Sequence, residues 1–223
     1  MKVTVIVPAL NEEECIGRLV AAMPRPPVDE VIVVDNGSTD RTAEVARAAG
    51  AHVITQSQRG YGNACLAGIA AAHMADVLVF MDGDLSDDPA ELPCVIAPIL
   101  EDRADLALGA RAQVEKGALT PQQIAGNRVA LWLIALLFRR RLRDLPSFKA
   151  ARRDTLTQLK LQERTYGWTT ELLVKAVKSR VRIAEVPTRY RKRGGGQSKV
   201  AGTLRGTVGA GYSILKVVLR YAL

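Results

Sequence analysis

Residues 79–89 read VFMDGDLSDDP, a run of apolar residues that leads directly into a dense cluster of carboxylates. Asp82 and Asp84 flank Gly83, and two further aspartates follow shortly afterwards. In extended backbone, side chains two positions apart lie on the same face, so Asp82 and Asp84 can approach one cation together. Unpaired carboxylates repel one another, so such a cluster needs water or a cation to offset its charge. The pattern indicates a strand that ends at a binding site.

The first half of the chain alternates short apolar strands with helices. Strands are predicted at KVTVIVP, EVIVVD, AHVIT and DVLVFMD, and helices at EEECIGRLVAAM, at the segment that Ser38 or Thr39 would cap, and at GYGNACLAGIAAAHM. Strands this apolar, separated by helices, predict an α/β fold with a Rossmann-like, mostly parallel sheet flanked by helices. Such sheets bind ligands at the carboxyl ends of their strands, where Pro8, Asp35 and Asp82 fall.

The second half is less regular. Strands are predicted at DLALGAR and VRIAEVPTRYRKR, an amphipathic helix at TTELLVKAVKSR, and a flexible, basic loop at GGGQSKVAGTLRG. A long helix is predicted over residues 124–144; it is apolar from Val129 to Phe138 and basic afterwards. This helix belongs either to the core or to a membrane surface, where arginines at 139–141 and 143 would meet anionic head groups.

Length and charge limit the possible partners. A chain of 223 residues that is 48% hydrophobic predicts a single domain over 1–223. Residues 1–109 carry 7 Lys and Arg against 17 Asp and Glu, whereas residues 110–223 carry 24 against 6. The first half therefore suits cations, and the second half suits phosphate groups, an anionic membrane surface or nucleic acid. The low aromatic content of 4% argues against nucleic acid as a partner.

The location of the protein is predicted from its cysteines and its apolar runs. No signal peptide is expected, because the first apolar stretch is short, and no apolar run reaches the ~20 residues that a membrane span requires. Cys15, Cys65 and Cys94 have no metal-ligand spacing and are predicted to be buried thiols in a reducing compartment. We expect a cytoplasmic protein, on the cytoplasmic face of the membrane if it is peripheral.

Several motifs resemble those of one enzyme family. VIVPALNEEECI, VIVVDNGSTDRTAEVA, RGYGNACLAGIAAA and VLVFMDGDLSDDP resemble, in order and spacing, the family 2 glycosyltransferases with the GT-A fold. LGAR, RDLPSFKAARRDTL, YGWTTELLVKA and EVPTRYRKRGGGQSK are similar to the dolichyl-phosphate mannosyltransferase-like branch, which includes polyprenyl-phosphate sugar synthases. This resemblance spans nearly the whole chain. It implies inverting, metal-dependent transfer of a hexose from a nucleotide sugar to a lipid phosphate.

The resemblance assigns donor-binding roles by position. It implies a nucleoside pocket built from Pro8, Leu10, Asn11, Glu12, Asp35 and Asn36. Asp82 and Asp84, with Gly83 between them, would hold a Mg²⁺ or Mn²⁺ ion that bridges the diphosphate, and Arg111 would lie near that diphosphate. Arg59, Gly60 and Asn63 either shape the nucleotide pocket or form the start of a helix.

The resemblance also assigns acceptor residues in the basic half. Arg193, Ser198 and Lys199 match the branch's arginine and Gly-x-Ser-Lys pattern. The acceptor-side arginine and serine that the branch carries before the long apolar helix are not found in TPQQIAGNR, where Asn127 and Arg128 are the remaining polar candidates. Asp84 and Arg193 are expected to serve catalysis directly. A lipid phosphate is already ionised and needs no general base.

A hydroxyl acceptor would need a base. The candidates for that role are Asp144 and Glu171, although Glu171 also suits the first turn of a helix as a structural residue.

Two departures from the family pattern bear on specificity. Asn36 replaces a second aspartate, which favours a uridine donor over a guanosine donor, because uracil presents one hydrogen-bond donor and guanine two adjacent ones. Ser86 replaces a glutamine that serves the branch as an extra metal ligand.

The same motifs bear on two alternatives to a glycosyltransferase. A nucleotidyltransferase is disfavoured, since PALNEEE is not a glycine-rich basic phosphate loop. A non-catalytic sugar-nucleotide or membrane-surface binding protein remains the alternative of another class.

Overall fold

The computed structural model describes residues 1–197 and 204–222, with the side chains of the last helix from residue 209 onwards except residue 210. The strands are β1 (Val3–Ala9), β2 (Glu30–Asp35), β3 (His52–Thr55), β4 (Val77–Phe80), β5 (Leu106–Val114), β6 (Lys149–Arg152) and β7 (Ile183–Tyr190). The helices are α1 (Ile16–Ala21), α2 (Thr42–Ala48), α3 (Tyr61–Ala71), α4 (Leu92–Leu100), α5 (Pro121–Phe138), α6 (Arg153–Leu159), α7 (Trp168–Lys178) and α8 (Leu204–Ala222), with a 3₁₀ turn at Pro89–Glu91.

The seven strands form one sheet in the order β3-β2-β1-β4-β6-β5-β7. The pairs β2–β3, β1–β2, β1–β4 and β5–β7 are parallel, whereas β6 runs antiparallel to both of its neighbours. The prediction of a mostly parallel α/β sheet flanked by helices is confirmed. Strand β6 was not predicted, because its four residues, KAAR, include no β-branched or aromatic side chain.

Apolar side chains fill the space on both faces of the sheet. On one face, Val5 and Val7 of β1 pack with Leu19 of α1 and Ile96 of α4. On the other face, a second cluster joins the sheet to α3, α5, α6, α7 and α8, and Trp168 is its largest fully buried side chain. Burial on both faces explains why the central strands are continuously apolar. It also leaves the strand ends as the place where polar side chains can meet.

Three predicted helix boundaries are wrong. Helix α1 begins at Ile16, so the glutamates at 12–14 lie in the loop after β1 rather than in a helix. Helix α2 begins at Thr42, whose backbone N–H donates to Asp40 Oδ1 at 3.0 Å, so neither Ser38 nor Thr39 is the cap. Helix α5 ends at Phe138, because Arg139 adopts a left-handed φ of 54° and turns the chain out of the helix.

The prediction for the cysteines also needs correction. Cys15 and Cys65 are buried as expected, but Cys94 is exposed. Cys94 lies in α4, whose inner face is formed by Leu92, Val95 and Ile96. Its position in the helix turns its side chain away from the core.

Candidate active site

A cavity of about 540 Å³ opens at the carboxyl ends of β1, β2 and β4. The sequence predicted ten of its wall residues, namely Pro8, Leu10, Glu12, Asn36, Arg59, Gly60, Asp82, Gly83, Asp84 and Arg193. A second cavity of about 470 Å³ shares Leu10, Glu12 and Arg59 with it and adds Asn11. The parallel strands therefore bring these separate motifs to one edge of the sheet, as such folds generally do.

Ser86 orients the carboxylate of Asp84. Its backbone N–H donates to Asp84 Oδ1 at 3.0 Å, and its hydroxyl donates to the same oxygen. The other oxygen, Asp84 Oδ2, lies 3.6 Å from Arg193 Nη1. At the position where a glutamine was expected as a metal ligand, this chain thus places a short side chain that holds a ligand candidate in place.

Two aspartates of the acidic turn, Asp82 and Asp87, have raised pKa values. Asp82 is half-buried in the cavity wall, and desolvation, followed by the nearby charge of Asp84, raises its pKa to about 6. Asp87 is fully buried behind the turn, and burial, followed by the charge of Asp82, raises its pKa to about 7. Both shifts show that negative charge at this site is costly while no cation offsets it.

The residues present fit a divalent cation that arrives with a diphosphate. Within residues 1–197 and 204–222, no group of three or more His, Cys, Asp or Glu side chains is arranged to hold a metal alone. Mg²⁺ and Mn²⁺ near phosphates, however, typically need only one or two carboxylates, and Asp82 and Asp84 supply them. Behind them, Asp87 Oδ1 is buried and accepts no hydrogen bond within the described residues. That unsatisfied oxygen is consistent with a site that a cation would neutralise.

These pKa shifts predict a pH-dependent response to metal. The folded-state pKa values of Asp82 and Asp87 lie above the unfolded values, so their stabilising effect is present at low pH and is lost as pH rises through about 6 to 7. We therefore expect Mn²⁺ to raise the melting temperature more at pH 8 than at pH 5.5. Differential scanning fluorimetry at both pH values measures this, and equal shifts would contradict it.

A buried lysine lies behind the acidic turn and was missed by sequence reasoning. Lys149 is fully buried, and its ammonium donates to Ser147 O at 2.8 Å and to Thr169 Oγ1 at 3.2 Å. The Ser147 hydroxyl in turn donates to Asp87 Oδ2 at 2.9 Å. Burial lowers the pKa of Lys149, while Cys65 and Asp82 act to raise it. Lys149 is thus linked through Ser147 to the buried carboxylate of Asp87.

Arg193 extends from the basic half of the chain into the cavity wall. Its guanidinium contacts both carboxylate oxygens of Glu12, at 2.9 and 2.8 Å from Nη2, and its Nε donates to Gly195 O at 2.8 Å. In this position Arg193 lies between two carboxylates of the cavity wall, Glu12 and Asp84. Arg193 thus lies in the cavity wall beside the acidic turn, and its role in binding the acceptor or the transferring diphosphate stays a prediction.

The described start of the glycine-rich loop, residues 194–197, is hydrogen-bonded to the rim of the cavity, and residues 198–203 of the loop predicted to be flexible lie outside the described residues. Arg191 N donates to Ser86 O at 2.8 Å, and Gly194 N donates to Asp84 O at 2.7 Å. A Cβ atom at Gly195 would lie 2.5 Å from Glu14 Oε2, so glycine permits this close approach. The loop is tied to the rim of the cavity. Ser198 and Lys199 lie outside the described residues.

Asn36 organises the loop between β3 and α3. Its amide donates to Gln56 O at 2.9 Å and to Gln58 O at 2.8 Å, and its Oδ1 accepts from Gly60 N at 2.8 Å. These contacts occupy most of the hydrogen-bonding groups of the Asn36 side chain. Little capacity therefore remains for the contact with uracil from which a uridine donor was predicted. An aspartate at position 36 could not donate to the two carbonyls. The structure of this loop is therefore sufficient to explain why the residue is an asparagine.

Two glycines let a distant loop reach the cavity. A Cβ at Gly60 would lie 2.3 Å from Arg164 O, and one at Gly62 would lie 2.2 Å from Glu163 O. The loop at 163–166 can therefore pack directly on the start of α3, and Tyr166 reaches the cavity wall. Sequence reasoning missed four polar wall residues in all, Tyr61, Gln123, Tyr166 and Tyr190, and the last three belong to segments distant in sequence from the donor-site motifs.

Arg111 and Asp144 form a largely buried ion pair. Asp144 Oδ2 accepts from Arg111 N at 3.0 Å and from Nε at 2.7 Å, and Asp144 Oδ1 accepts from Nη2 at 2.6 Å. The guanidinium also lies 5.1 Å from the centre of the Tyr190 ring, which lines the cavity. Both carboxylate oxygens of Asp144 accept hydrogen bonds from Arg111, so Asp144 is poorly placed to act as a base.

Loss of this ion pair should destabilise the fold. Asp144→Ala leaves Arg111 buried without its partner, and we expect a loss of about 3 kcal/mol in the free energy of unfolding. Asp102→Ala is the matched control, because its ion pairs with Arg152 and Arg182 are exposed and should contribute under about 1 kcal/mol. Urea unfolding of both variants provides the measurement, and equal losses would contradict the prediction.

Glu171 lies away from the cavity, in the first turn of α7. It is buried, and its carboxylate accepts from Tyr221 OH at 2.6 Å, from Glu163 N at 2.7 Å and from Gln162 N at 2.9 Å. Burial alone would raise its pKa, but these bonds lower it below the usual value. The geometry matches the structural role that the sequence left open, and Glu171 is not among the residues that line the cavity.

The remaining candidates lie around the cavity without lining it. Asp35 accepts from Ser38 N at 3.0 Å, and Asn63 donates to Arg59 O at 3.1 Å, so both order neighbouring loops. Asn127 and Arg128 lie within α5, one turn beyond Gln123, which does line the cavity.

Fold and site together define the class of the chain. A mostly parallel α/β sheet carries an Asp-Gly-Asp turn at the carboxyl end of β4, beside a cavity in the size range of small-ligand sites. This is the architecture of a GT-A glycosyltransferase. The chain belongs to glycosyl transferase family 2, whose family model matches residues 4–152.

Comparisons with known proteins agree. An uncharacterized glycosyltransferase of Mycobacterium tuberculosis is 38% identical over 97% of each chain. A dolichyl-phosphate hexose transferase of Haloferax volcanii is 35% identical, over 96% of this chain and 93% of its own length. The crystal structure of glucosyl-3-phosphoglycerate synthase from M. tuberculosis with Mn²⁺, UDP and phosphoglyceric acid superposes with a TM-score of 0.80 at 26% identity, covering 99% of this chain and 78% of that chain. The resemblance to the polyprenyl-phosphate sugar transferase branch is confirmed.

Proposed function

We propose that this glycosyltransferase moves a hexose from a uridine diphosphate sugar to a lipid phosphate of the polyprenyl or dolichyl type, with a divalent cation and with inversion. One observation carries the choice of acceptor. Among the described residues, the carboxylates in the wall of the 540 Å³ cavity are Glu12, which pairs with Arg193, and the metal-ligand candidates Asp82 and Asp84. Both predicted bases are engaged elsewhere. An acceptor that is already ionised needs no base, and a phosphate meets that condition.

The donor side of the proposal rests on the acidic turn. Asp82 and Asp84 would hold Mg²⁺ or Mn²⁺ against the diphosphate, and Ser86 keeps Asp84 oriented for this contact. When bound, a divalent cation would neutralise the charge that develops on the nucleoside diphosphate leaving group. The solved relative that holds Mn²⁺ and UDP supports both the metal and the uridine nucleotide.

The basic half supplies the second part of the proposed reaction. An oxygen of the lipid phosphate attacks the anomeric carbon as the bond to the diphosphate breaks on the opposite face, which inverts that centre. Arg193 is within reach of Asp84, so its guanidinium can turn from the carboxylates to the phosphates as these enter. The similarity to a dolichyl-phosphate hexose transferase supports this acceptor class.

Transfer to a hydroxyl acceptor is the second candidate. The solved relative that binds phosphoglyceric acid favours it. This candidate needs a base, and within the described residues Asp144 and Glu171 are both held by other groups.

Release of nucleoside diphosphate distinguishes the candidates. The protein is incubated with UDP-glucose and Mn²⁺ alone, with undecaprenyl phosphate in detergent, or with phosphoglyceric acid. The proposal expects UDP release above background only with the lipid phosphate. Release with phosphoglyceric acid alone would favour the hydroxyl acceptor. Binding of UDP without turnover in any arm, including parallel arms with other UDP-hexoses, would indicate a non-catalytic binding protein.

The donor base gives a separate prediction. We expect UDP with Mn²⁺ to raise the melting temperature more than GDP with Mn²⁺ at equal concentration. Asn36→Asp should weaken UDP binding, because a carboxylate would face the carbonyls of Gln56 and Gln58 and lose two hydrogen bonds, each worth about 1 kcal/mol. Thermal-shift titrations measure both effects. A clear preference for GDP would contradict the uridine assignment.

A further inference from the structure

Exposed apolar side chains are concentrated on two helices. Of the 13 large hydrophobic side chains exposed within the described residues, eight lie on α5 and α8. They are Ile124, Val129, Trp132, Leu136 and Leu137 on α5, and Tyr212, Leu215 and Leu219 on α8. Single exposed apolar residues are ordinary, but a concentration of this kind marks an interaction surface.

Each helix carries exposed apolar side chains on its outer face as well as buried ones on its inner face. On α5, Ala130 and Ile134 point into the core, while Val129, Trp132 and Leu136 follow one another along the opposite face. On α8, Val218 points into the core, while Leu215 and Leu219 lie one turn apart on the outside. The two helices contact each other and both contact α7. Their outer faces therefore lie side by side, and we call this surface the α5–α8 face.

Positive charge surrounds the α5–α8 face. Arg139, Arg140 and Arg141 follow α5 directly, are exposed, and form no ion pair with any carboxylate among the described residues. Lys216 and Arg220 lie between the apolar positions of α8. Residues 121–143 and 204–222 contain no Asp or Glu. Apolar side chains flanked by exposed cations suit the interface of an anionic bilayer. There the apolar side chains contact the lipid tails and the cations contact the head groups.

The α5–α8 face begins next to the cavity. Gln123, in the first turn of α5, lines the cavity, and Ile124 is already part of the apolar surface. No helix of the described residues is long and apolar enough to cross a membrane. The geometry therefore suits a helix pair that lies in the bilayer surface rather than one that spans it.

We infer that the α5–α8 face docks the enzyme on an anionic lipid surface, with the cavity opening at the level of the lipid head groups. The inference rests on the proposed function, since a lipid phosphate must leave its bilayer only by the length of its head group to reach such a cavity. A second copy of the chain is the competing occupant of an apolar face. A dimer formed through this face would also bury the exposed apolar side chains. It would, however, bring Arg139, Arg140 and Arg141 of the two copies towards one another across a two-fold interface.

Binding to vesicles without any acceptor tests docking by itself. We expect the protein to co-sediment with vesicles that contain 30% phosphatidylglycerol about tenfold more than with pure phosphatidylcholine. Trp132 is 62% exposed whereas Trp168 is fully buried, so the emission of Trp132 should shift to shorter wavelength on binding. Leu136→Glu with Leu219→Glu should lower vesicle binding about tenfold. Leu100→Glu is the matched control, because Leu100 is exposed on α4, outside this face, and its variant should bind as wild type.

Two acceptors separate docking from chemistry. The Leu136→Glu, Leu219→Glu variant should keep wild-type turnover with a short, water-soluble isoprenyl phosphate and lose at least about tenfold with undecaprenyl phosphate in vesicles. Retained turnover with the soluble acceptor also shows that the variant folds. Vesicle binding without transfer to either acceptor would support docking and refute the proposed function. Unchanged vesicle binding of the variant, or a dimer that the same substitutions dissociate, would overturn the inference.

Discussion

Asp84→Ala is expected to reduce glycosyl transfer by about 10³-fold, because it removes half of the carboxylate pair that would hold the metal against the leaving diphosphate. The protein should stay folded, since Asp84 lies at the cavity wall and its loss relieves repulsion with Asp82. Initial rates of UDP release measure the effect, and a circular dichroism spectrum with a melting curve verifies the fold.

Asp88→Ala is the matched control for Asp84. Asp88 lies in the same acidic run, but its carboxylate caps the 3₁₀ turn and pairs with the exposed Arg191 and Arg189 outside the cavity. We expect this variant to keep activity within a few-fold of wild type. Equal losses in the two variants would show that the general negative charge of the run matters rather than the position of Asp84. Full activity of wild type in EDTA would contradict metal dependence altogether.

Arg193→Ala should reduce turnover by about 10²-fold while it leaves the affinity for UDP with Mn²⁺ within about threefold. Two phosphates about 5 Å apart repel by roughly 3 kcal/mol per pair of unit charges at an effective dielectric constant near 20, and a cation placed between them offsets much of this. Nucleotide affinity should change little, because the acidic turn and its metal hold the diphosphate. Steady-state kinetics and calorimetry measure the two quantities.

Arg191→Ala provides the comparison within the same loop. The Arg191 side chain pairs with Asp88 at 2.6 Å and does not line the cavity, while its backbone N–H holds the loop to Ser86 O. The backbone contact survives the substitution, so turnover should fall less than about threefold. If Arg193→Ala keeps wild-type turnover with the lipid phosphate, the acceptor role of this guanidinium is wrong.

The site could be predicted from sequence where a short motif ends a strand. Asp82, Asp84, Pro8 and Asn36 each follow an apolar run, and a parallel sheet brings the ends of such runs together. Arg193 was found through the family pattern, and the structure places it against Glu12. Each of these residues is identified by a short local motif, and the regular fold determines where that motif lies.

The remaining features depend on contacts between segments that are distant in sequence. Lys149 lies in a four-residue strand without a β signature, and its burial beneath the acidic turn follows from the pairing of β6 with β4. Nothing in the sequence distinguishes Asp144 and Glu171 from other acidic residues. Only their hydrogen-bond partners in the folded protein show that they are structural. The apolar residues of α5 suited the core and a membrane surface equally well, because the sequence does not show which face α8 covers.

The mass of the lipid product tests the central claim most directly. Undecaprenyl phosphate, UDP-glucose and Mn²⁺ are incubated with the wild-type protein, with parallel reactions for other UDP-hexoses, and the extracted lipid is analysed by mass spectrometry. The account predicts a new species heavier than the acceptor by one hexose residue, formed in step with UDP release and absent with Asp84→Ala. Release of UDP with a lipid of unchanged mass, or a hexose found only on a hydroxyl acceptor, would contradict it.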